Sequence, residues 1–131
     1  MVGTVHFGYS RPLKSFPFFG GFGQLVMSGS SMDGALIIHS TAKMLYGVLN
    51  WGLLPQQAID LPNFGSFNGP SILEEKRFPP AVVEALRARG AEVREQAVTS
   101  GLQAIARGRV HGAPVWLGGA DPRREGVVMG D

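Results

Sequence analysis

The uneven placement of charged side chains along this sequence is the strongest constraint on its fold. The chain has 12 Lys and Arg residues and 10 Asp and Glu residues. Only five of these charged residues precede Glu74, namely Arg11, Lys14, Asp33, Lys43 and Asp60. A stretch of this length with so few charges has little to expose to water. We therefore expect the first half of the chain to be mostly buried, or to be covered by another chain.

Length and composition exclude several classes of function. The 131 residues fit a single domain, 1–131, with one hydrophobic core. A net charge of +2 is too small to indicate a nucleic-acid partner. The absence of cysteine excludes disulfides and thiolate chemistry. No stretch approaches the roughly 20 apolar residues of a membrane span, and the first residues lack the apolar core of a signal peptide. As written, the chain is expected to be cytoplasmic.

Neither a metal nor a cofactor is expected. The three histidines, His6, His39 and His111, lie far apart and have no carboxylates at ligand spacing. The glycines of GGFG, at 20–23, are not followed by the βαβ unit and distal acid that bind a dinucleotide.

Hydrophobic spacing predicts a mixed α and β chain. A short apolar run at 24–29 predicts a strand, and a glycine-containing turn then leads into a helix over 37–51. Pro55 is expected to begin a second, short helix. The Pro, Asn and Gly residues of 61–70 indicate an irregular loop.

The second half of the chain gives clearer local signals. The segment FPPAVVEALRARGAEV predicts a helix with prolines in its first turn and Gly90 after its end. AEVREQAV and LQAIARG predict two strands joined around TSG, and APVWLGGADP predicts a strand that runs into the tail. There Arg123 and Arg124, beside Asp121 and Glu125, are expected to form a terminal ion-pair cluster, which is worth little if exposed.

Six blocks carry a resemblance that extends from Arg11 to Asp131. They are RPLKS, LVMSGSSMDG, VLNWGLLPQQAIDLPNF, VVEALRARGAEV, SGLQAI and GGADPRREG. In this order they resemble the C-terminal part of the small subunit of gamma-glutamyltransferases, also called gamma-glutamyltranspeptidases or glutathione hydrolases. The tail resembles the closing strand of that family and its flanking turn.

The resemblance implies both a fold and a reaction. The fold is α+β, part of the αββα sandwich of N-terminal-nucleophile (Ntn) hydrolases, with antiparallel sheets packed by helices. In the reaction, a threonine freed at a new N-terminus by self-cleavage attacks the gamma-glutamyl amide of glutathione or a similar donor. Its α-amine can act as the base for its own hydroxyl. Two adjacent glycines at a strand-to-helix turn present N–H groups to the developing oxyanion.

The oxyanion turn of the family falls on a modified sequence in this chain. Counting back from Ile37 places the glycine pair at Asp33 and Gly34, whereas counting forward from Gly29 places it at Met32 and Asp33. In either alignment Asp33 enters the turn. Its N–H can donate, but its carboxylate opposes the negative charge that the turn must stabilise.

The other site residues implied by the resemblance lie near the start of the chain. Ser15 keeps one serine of the pair that holds the α-carboxylate of the donor, and Lys14 replaces the other, with a different geometry. Residues 1–10 form an atypical N-terminal segment in place of the first sheet of the small subunit. There GTVHF resembles the opening of the mature small subunit, so Thr4 is the candidate nucleophile if cleavage after Gly3 frees its amine. Otherwise another chain supplies the nucleophile.

Two functions remain open from the sequence. One is transfer or hydrolysis of gamma-glutamyl peptides, with a large-subunit-like chain or a second copy as partner. The other is a truncated, non-catalytic remnant that serves as a scaffold or interaction module. Asp33 and the missing front half favour the second for the chain acting alone. Full-length bacterial members of the family are often periplasmic or secreted, so the resemblance leaves the localisation open.

The missing sheet also has a consequence for association. A helix over 37–51 that lacks its covering layer is expected to expose an apolar face and to self-associate through it.

Overall fold

The computed structural model describes residues 6–7, 16–19, 24–32 and 34–130. Within these residues the chain forms three α-helices, which are α1 (Ile37–Leu49), α2 (Pro55–Asp60) and α3 (Pro80–Ala88). The strands of the same residues are β1 (His6–Phe7), β2 (Phe16–Phe19), β3 (Leu25–Ser30), β4 (Phe64–Gly65), β5 (Ser71–Glu74), β6 (Val93–Gln96), β7 (Gln103–Val110), β8 (Ala113–Ala120) and β9 (Val128–Met129).

Residue contacts divide the chain into two compact units. The first unit consists of 1–61 and 100–131, and the second consists of 62–99. The expectation of one domain over 1–131 stays a prediction.

The first unit contains an antiparallel sheet with the strand order β2-β3-β7-β8. Ser30 of β3 pairs with Gln103 of β7, which pairs in turn with Ala120 of β8. The ends of β3 and β8 and the start of β7 therefore lie side by side at one edge of the sheet. β7 and β8 form a hairpin through His111 and Gly112, whose φ angles of 49° and 81° suit a tight two-residue turn. Strands β1 and β9 pair in a separate two-stranded sheet.

Helices α1 and α2 pack on this sheet and enclose the core of the first unit. The core residues are Met27, Met44, Ala58, Ile59, Leu102, Ala104 and Ala106. The sheet contributes mainly small residues because the helices approach it closely. A Cβ atom built on Gly119 would lie 2.7 Å from the backbone nitrogen of Gln56 and 2.9 Å from the carbonyl carbon of Pro55. The first turn of α2 thus rests directly on the backbone of β8.

The second unit is a three-stranded sheet with the order β4-β5-β6 and the helix α3. β4 and β5 are antiparallel, whereas β5 and β6 are parallel. The parallel pairing follows from the chain path, since α3 lies between these two strands in sequence and forms their crossover connection. Helix α3 is followed by Gly90, whose φ of 86° is the left-handed conformation common after helix ends.

The predicted elements and fold class are confirmed, with two local differences. Antiparallel sheets packed by helices are observed, as the Ntn hydrolase resemblance implies. The segments AEVREQAV and LQAIARG do form strands, but β6 pairs with β5 and β7 pairs with β3 and β8. The segment 61–70, expected to be irregular, contains the short strand β4. Among the residues that the structure describes, no helix is long and apolar enough to cross a membrane.

Candidate functional site

The expected oxyanion turn is a strand-turn-helix in the first unit. β3 ends at Ser30, residues 34–36 form a turn, and α1 begins at Ile37. The carbonyl of Gly34 accepts a hydrogen bond from the N–H of Ile37 at 3.4 Å. Within the described residues no side chain caps this helix, and its first turn contains no acidic residue. The N-terminal N–H groups of α1 therefore have the dipole and the direction to stabilise an anion.

Gly34 is the predicted site residue that the structure describes. It is exposed, and a Cβ built on it has no heavy atom within 4 Å. Thr4, Lys14, Ser15 and Asp33 lie outside the described residues. The roles implied for these four residues stay predictions.

Buried polar side chains occur beside the strand end that leads into this turn and in the first turns of α1. Ser31 and Ser40 are buried, and their hydroxyl oxygens have no hydrogen-bond partner within the described structure. The same holds for both amide atoms of Gln103, which pairs with the last residue of β3. Burying a polar group without a partner costs about 1 to 3 kcal/mol, so native chains keep few of them.

The tail begins with a fully buried carboxylate, Asp121, whose exposed fraction is 0%. Its Oδ2 accepts hydrogen bonds from the Ser100 hydroxyl and from the N–H of Leu102, the latter at 3.3 Å. Its backbone N–H donates to the carbonyl of Leu102 at 2.8 Å. Its Oδ1 accepts from the N–H of Arg123 at 3.0 Å and from the guanidinium of that residue at 3.2 Å. Each carboxylate oxygen is thereby held by its own pair of donors.

The end of α2 brings two basic side chains together. Arg123 donates from Nη1 to the carbonyl of Ile59 and from Nη2 to that of Leu61, both at 3.2 Å. The buried Lys43 of α1 donates to the same two carbonyls, at 3.1 and 2.6 Å. Cations placed on the last carbonyls of a helix are favourable because they satisfy free acceptors and oppose the helix dipole. These bonds connect α1, the end of α2 and the tail.

The ion pair expected in the tail is present between two of the four residues, Asp121 and Arg123. Their side chains are 0% and 12% exposed, so the condition under which such a pair is worth little, exposure to water, does not hold for them. The sequence did contain a usable signal for the turn at Asp121, but not for its burial. Asp121 directly precedes Pro122 and lies two residues before Arg123, which is the pattern of a capped turn, and its side chain accepts from the N–H of Arg123 at the start of a 3₁₀ turn. Sequence reasoning missed Lys43 and Ser100, whose partners are distant in sequence.

The loop at 100–102 is in direct contact with the strand end before the turn. A Cβ built on Gly101 would lie 3.1 Å from the Cβ of Met32 and 3.6 Å from its backbone nitrogen. It would also lie 3.4 Å from Cδ of Arg124. Met32 precedes the Asp33–Gly34 pair, so this contact joins the tail network to the expected oxyanion turn.

The outer side of α1 exposes an apolar stripe, formed by Ile38, Ala42, Tyr46 and Leu49. Ile38 is the most open of these, with 74% of its surface exposed. Trp51 packs edge-on against Tyr46, with ring centroids 5.1 Å apart, and is also exposed. The expectation of an uncovered apolar face on this helix is therefore met, whereas self-association through it stays a prediction.

Comparison with known proteins identifies the family. The family model described as Gamma-glutamyltranspeptidase matches residues 20–131. A comparison with the curated proteins finds no match. A mutant of Helicobacter pylori gamma-glutamyltranspeptidase is similar in structure, with a TM-score of 0.75 and 18% identity, over 85% of this chain and 60% of that one.

Two further solved structures show the same similarity. An acivicin-inhibited gamma-glutamyltranspeptidase gives a TM-score of 0.73 and 20% identity, over 90% of this chain and 65% of that one. Gamma-glutamyltranspeptidase from Pseudomonas nitroreducens gives 0.72 and 20%, over 93% of this chain and 64% of that one. The chain thus spans 60% to 65% of the length of these three structures. At such identities the likeness shows a shared fold.

The fold and the family model agree with the resemblance stated from the sequence. Since the family model matches most of the chain, over residues 20–131, this chain belongs to the gamma-glutamyltranspeptidase family.

Proposed function

We propose that this chain carries the oxyanion turn and donor pocket of a gamma-glutamyl acyltransferase or hydrolase. The observation that supports the proposal best is the position of Gly34. It is exposed in the turn that leads from β3, a strand of the main sheet, into α1, a helix that no described side chain caps. Backbone N–H groups at such a position stabilise a developing oxyanion, and each is worth about 2.7 to 4 kcal/mol in acyl transfer.

In the proposed reaction, the nucleophile is Thr4 with its freed α-amine, or a threonine of another chain. The hydroxyl oxygen attacks the carbonyl carbon of the gamma-glutamyl amide while the amine takes the hydroxyl proton. The oxyanion forms against the N–H groups of Asp33 and Gly34. The C–N bond then breaks, the leaving amine receives the proton, and the acyl ester is resolved by water or by an acceptor amine.

The α-carboxylate of the donor is assigned to Lys14 and Ser15. A lysine ammonium attracts a carboxylate as a point charge, and a serine hydroxyl can donate one hydrogen bond. Asp33 distinguishes this site from a glycine pair. Its carboxylate lowers the stabilisation of the oxyanion unless the side chain turns away from the substrate, so we expect slower turnover than a glycine pair would give.

The tail also fits a catalytic role. The structure of the acivicin-inhibited relative is described as revealing critical roles for the C-terminus of that enzyme in autoprocessing and catalysis. In this chain the corresponding end is anchored by Asp121 and Arg123 through buried hydrogen bonds.

The alternative function, a non-catalytic scaffold, gains no support from the comparisons. Because the chain spans 60% to 65% of its structural relatives, a large-subunit-like chain or a second copy is proposed to complete the site. The apolar stripe of α1 is the surface on which we expect such a partner to pack.

The proposal is tested by locating the acyl group on the protein. The purified chain is incubated with a gamma-glutamyl donor, quenched in acid and examined by intact-mass and peptide mass analysis. We expect loss of residues 1–3 and a gamma-glutamyl ester on the peptide that begins at Thr4, and we expect Thr4→Ala to abolish it. An ester on no residue of a folded sample would contradict Thr4 as the nucleophile and leave the threonine of another chain, whereas acylation of Lys14 alone would contradict the proposal.

A further inference from the structure

The segment 100–102 is fastened to the end of β8 by three hydrogen bonds. The Asp121 carboxylate accepts from the Ser100 hydroxyl and the Leu102 N–H, and the Asp121 N–H donates to the Leu102 carbonyl. Ser100, Leu102 and Asp121 are all fully buried. Water therefore cannot replace these bonds, and their geometry is held by the surrounding core.

The carboxylate that makes these bonds is itself prevented from rotating. Its second oxygen is bound by the N–H and the guanidinium of Arg123, at 3.0 and 3.2 Å. The guanidinium is in turn fixed on the carbonyls of Ile59 and Leu61. Ion pairing also compensates the cost of burying the carboxylate, which is large for an isolated charge.

The middle residue of the fastened segment, Gly101, lies against the strand end that leads into the oxyanion turn. Its backbone is so close to Met32 that an added Cβ would lie 3.1 Å from the Met32 Cβ. Met32 is two residues before Gly34. The segment 100–102, held by the Asp121 bonds, thus lies against Met32 and limits where that residue can move.

We infer that Asp121 is a positioning residue for the oxyanion turn, acting through Ser100 and Gly101 on Met32. The role of the turn rests on the proposed function, whereas the mechanical coupling does not. Loss of the Asp121 bonds allows the 100–102 segment to move, so Met32 loses its packing contact with Gly101. The backbone N–H groups that follow Met32 then become more mobile. Displacement of an oxyanion donor by about 1 Å reduces turnover by roughly 100-fold.

The first test measures motion of the turn and needs no activity. Backbone ¹⁵N relaxation gives N–H order parameters for Met32 and Gly34 in the wild type, Asp121→Asn and Ser100→Ala. We expect about 0.85 in the wild type and a fall toward 0.6 in Asp121→Asn, with a smaller fall in Ser100→Ala. Amides of α3 should not change. Glu92→Gln serves as the control, since it removes a carboxylate from an exposed pair with Arg94.

Three results would overturn the inference. One is a wild-type turn that is already mobile, and another is a folded Asp121→Asn whose Met32 and Gly34 order parameters equal those of the wild type. If Asp121→Asn does not fold, Ser100→Ala decides, because it keeps the buried ion pair and removes one bond to the segment. The third overturning result is therefore a Ser100→Ala variant whose Met32 and Gly34 order parameters equal those of the wild type.

The second test separates this inference from the proposed function. With a gamma-glutamyl anilide, Ser100→Ala and Asp121→Asn are expected to lower kcat by roughly 10- to 100-fold and to change KM by less than about twofold, since the oxyanion donors act in the transition state. A wild type without turnover would contradict a self-sufficient site with Thr4 as its nucleophile, and the relaxation measurement alone would then test the coupling. Variants whose KM changes while kcat stays at the wild-type value would overturn the positioning role.

Discussion

Two arginine-carboxylate pairs, one in each unit, show how differently the same chemistry can act. In the first unit Arg123 contacts Asp121 at 3.2 Å, with side chains 12% and 0% exposed. In the second unit Arg87 contacts Glu84 at 2.8 Å, with side chains 46% and 70% exposed. The shorter pair is the exposed one. Burial, rather than distance, decides which pair organises its surroundings.

The reason lies in what else each arginine binds. Arg87 spans one turn of α3 and reaches a second carboxylate, Glu95, at 3.8 Å, all in contact with water. Arg123 holds a buried carboxylate and the last carbonyls of α2 at once. Removing an exposed partner lets water take its place, whereas removing a buried partner leaves the other charge unpaired.

The largest expected effect is therefore on stability at Arg123. Arg123→Ala should lower the free energy of unfolding by about 3 to 5 kcal/mol, because Asp121 is left as a buried charge without its cation. Arg87→Ala should change it by no more than about 0.5 kcal/mol. Urea unfolding followed by circular dichroism measures both. Equal losses of unfolding free energy in the two variants would contradict the claim that burial decides how much each pair contributes.

A second prediction concerns backbone packing in the two units. Gly119→Ala places a methyl group 2.7 Å from the backbone of Gln56, and backbone cannot move aside as a flexible side chain can. We expect a loss of about 1 to 3 kcal/mol. Gly69→Ala in the second unit meets no atom within 4 Å and should be within about 0.5 kcal/mol of the wild type. Thermal unfolding of both variants tests this, and a neutral Gly119→Ala would show that α2 does not rest on β8 as described.

The smallest stability effects are expected on the exposed helix faces, where association should change instead. Replacing Ile38 and Leu49 with glutamate removes much of the apolar stripe of α1. We expect the wild type to self-associate and the double variant to be monomeric, with stability changed by no more than about 0.5 kcal/mol for each substitution. Val82→Glu on the exposed side of α3 is the control and should leave association unchanged. Light scattering decides, and a monodisperse wild-type monomer would refute self-association through this face.

Local structure and family could be predicted from the sequence because both depend on neighbouring residues. The apolar spacing around Met44 defined α1, and Gly90 marked the end of α3. The glycine turn before α1 was found for the same reason, since strand, turn and helix are adjacent in sequence. The family resemblance added the expected role of Gly34, which no local pattern could supply.

Contacts between distant residues could not be predicted in this way. Lys43 meets its acceptors, Ile59 and Leu61, only after α1 and α2 have packed. Ser100 and Asp121 are 21 residues apart and meet because β7 and β8 form a hairpin. The burial of Asp121 follows from the same hairpin, so an acid that looks exposed in sequence becomes part of the core. The parallel pairing of β5 with β6 likewise depends on the path of α3.

The role of Gly34 in the oxyanion turn is tested by measuring release of the chromophore from a gamma-glutamyl anilide by the wild type and by Gly34→Ala. A Cβ added to Gly34 has no heavy atom within 4 Å, so the alanine variant should fold like the wild type. We expect its methyl group to hinder the approach of the donor carbonyl to the turn. We predict turnover by the wild type and a loss of roughly 100-fold in Gly34→Ala. Equal turnover by both proteins would contradict the role of Gly34, and no turnover by a well-folded wild type would contradict a self-sufficient site with Thr4 as its nucleophile.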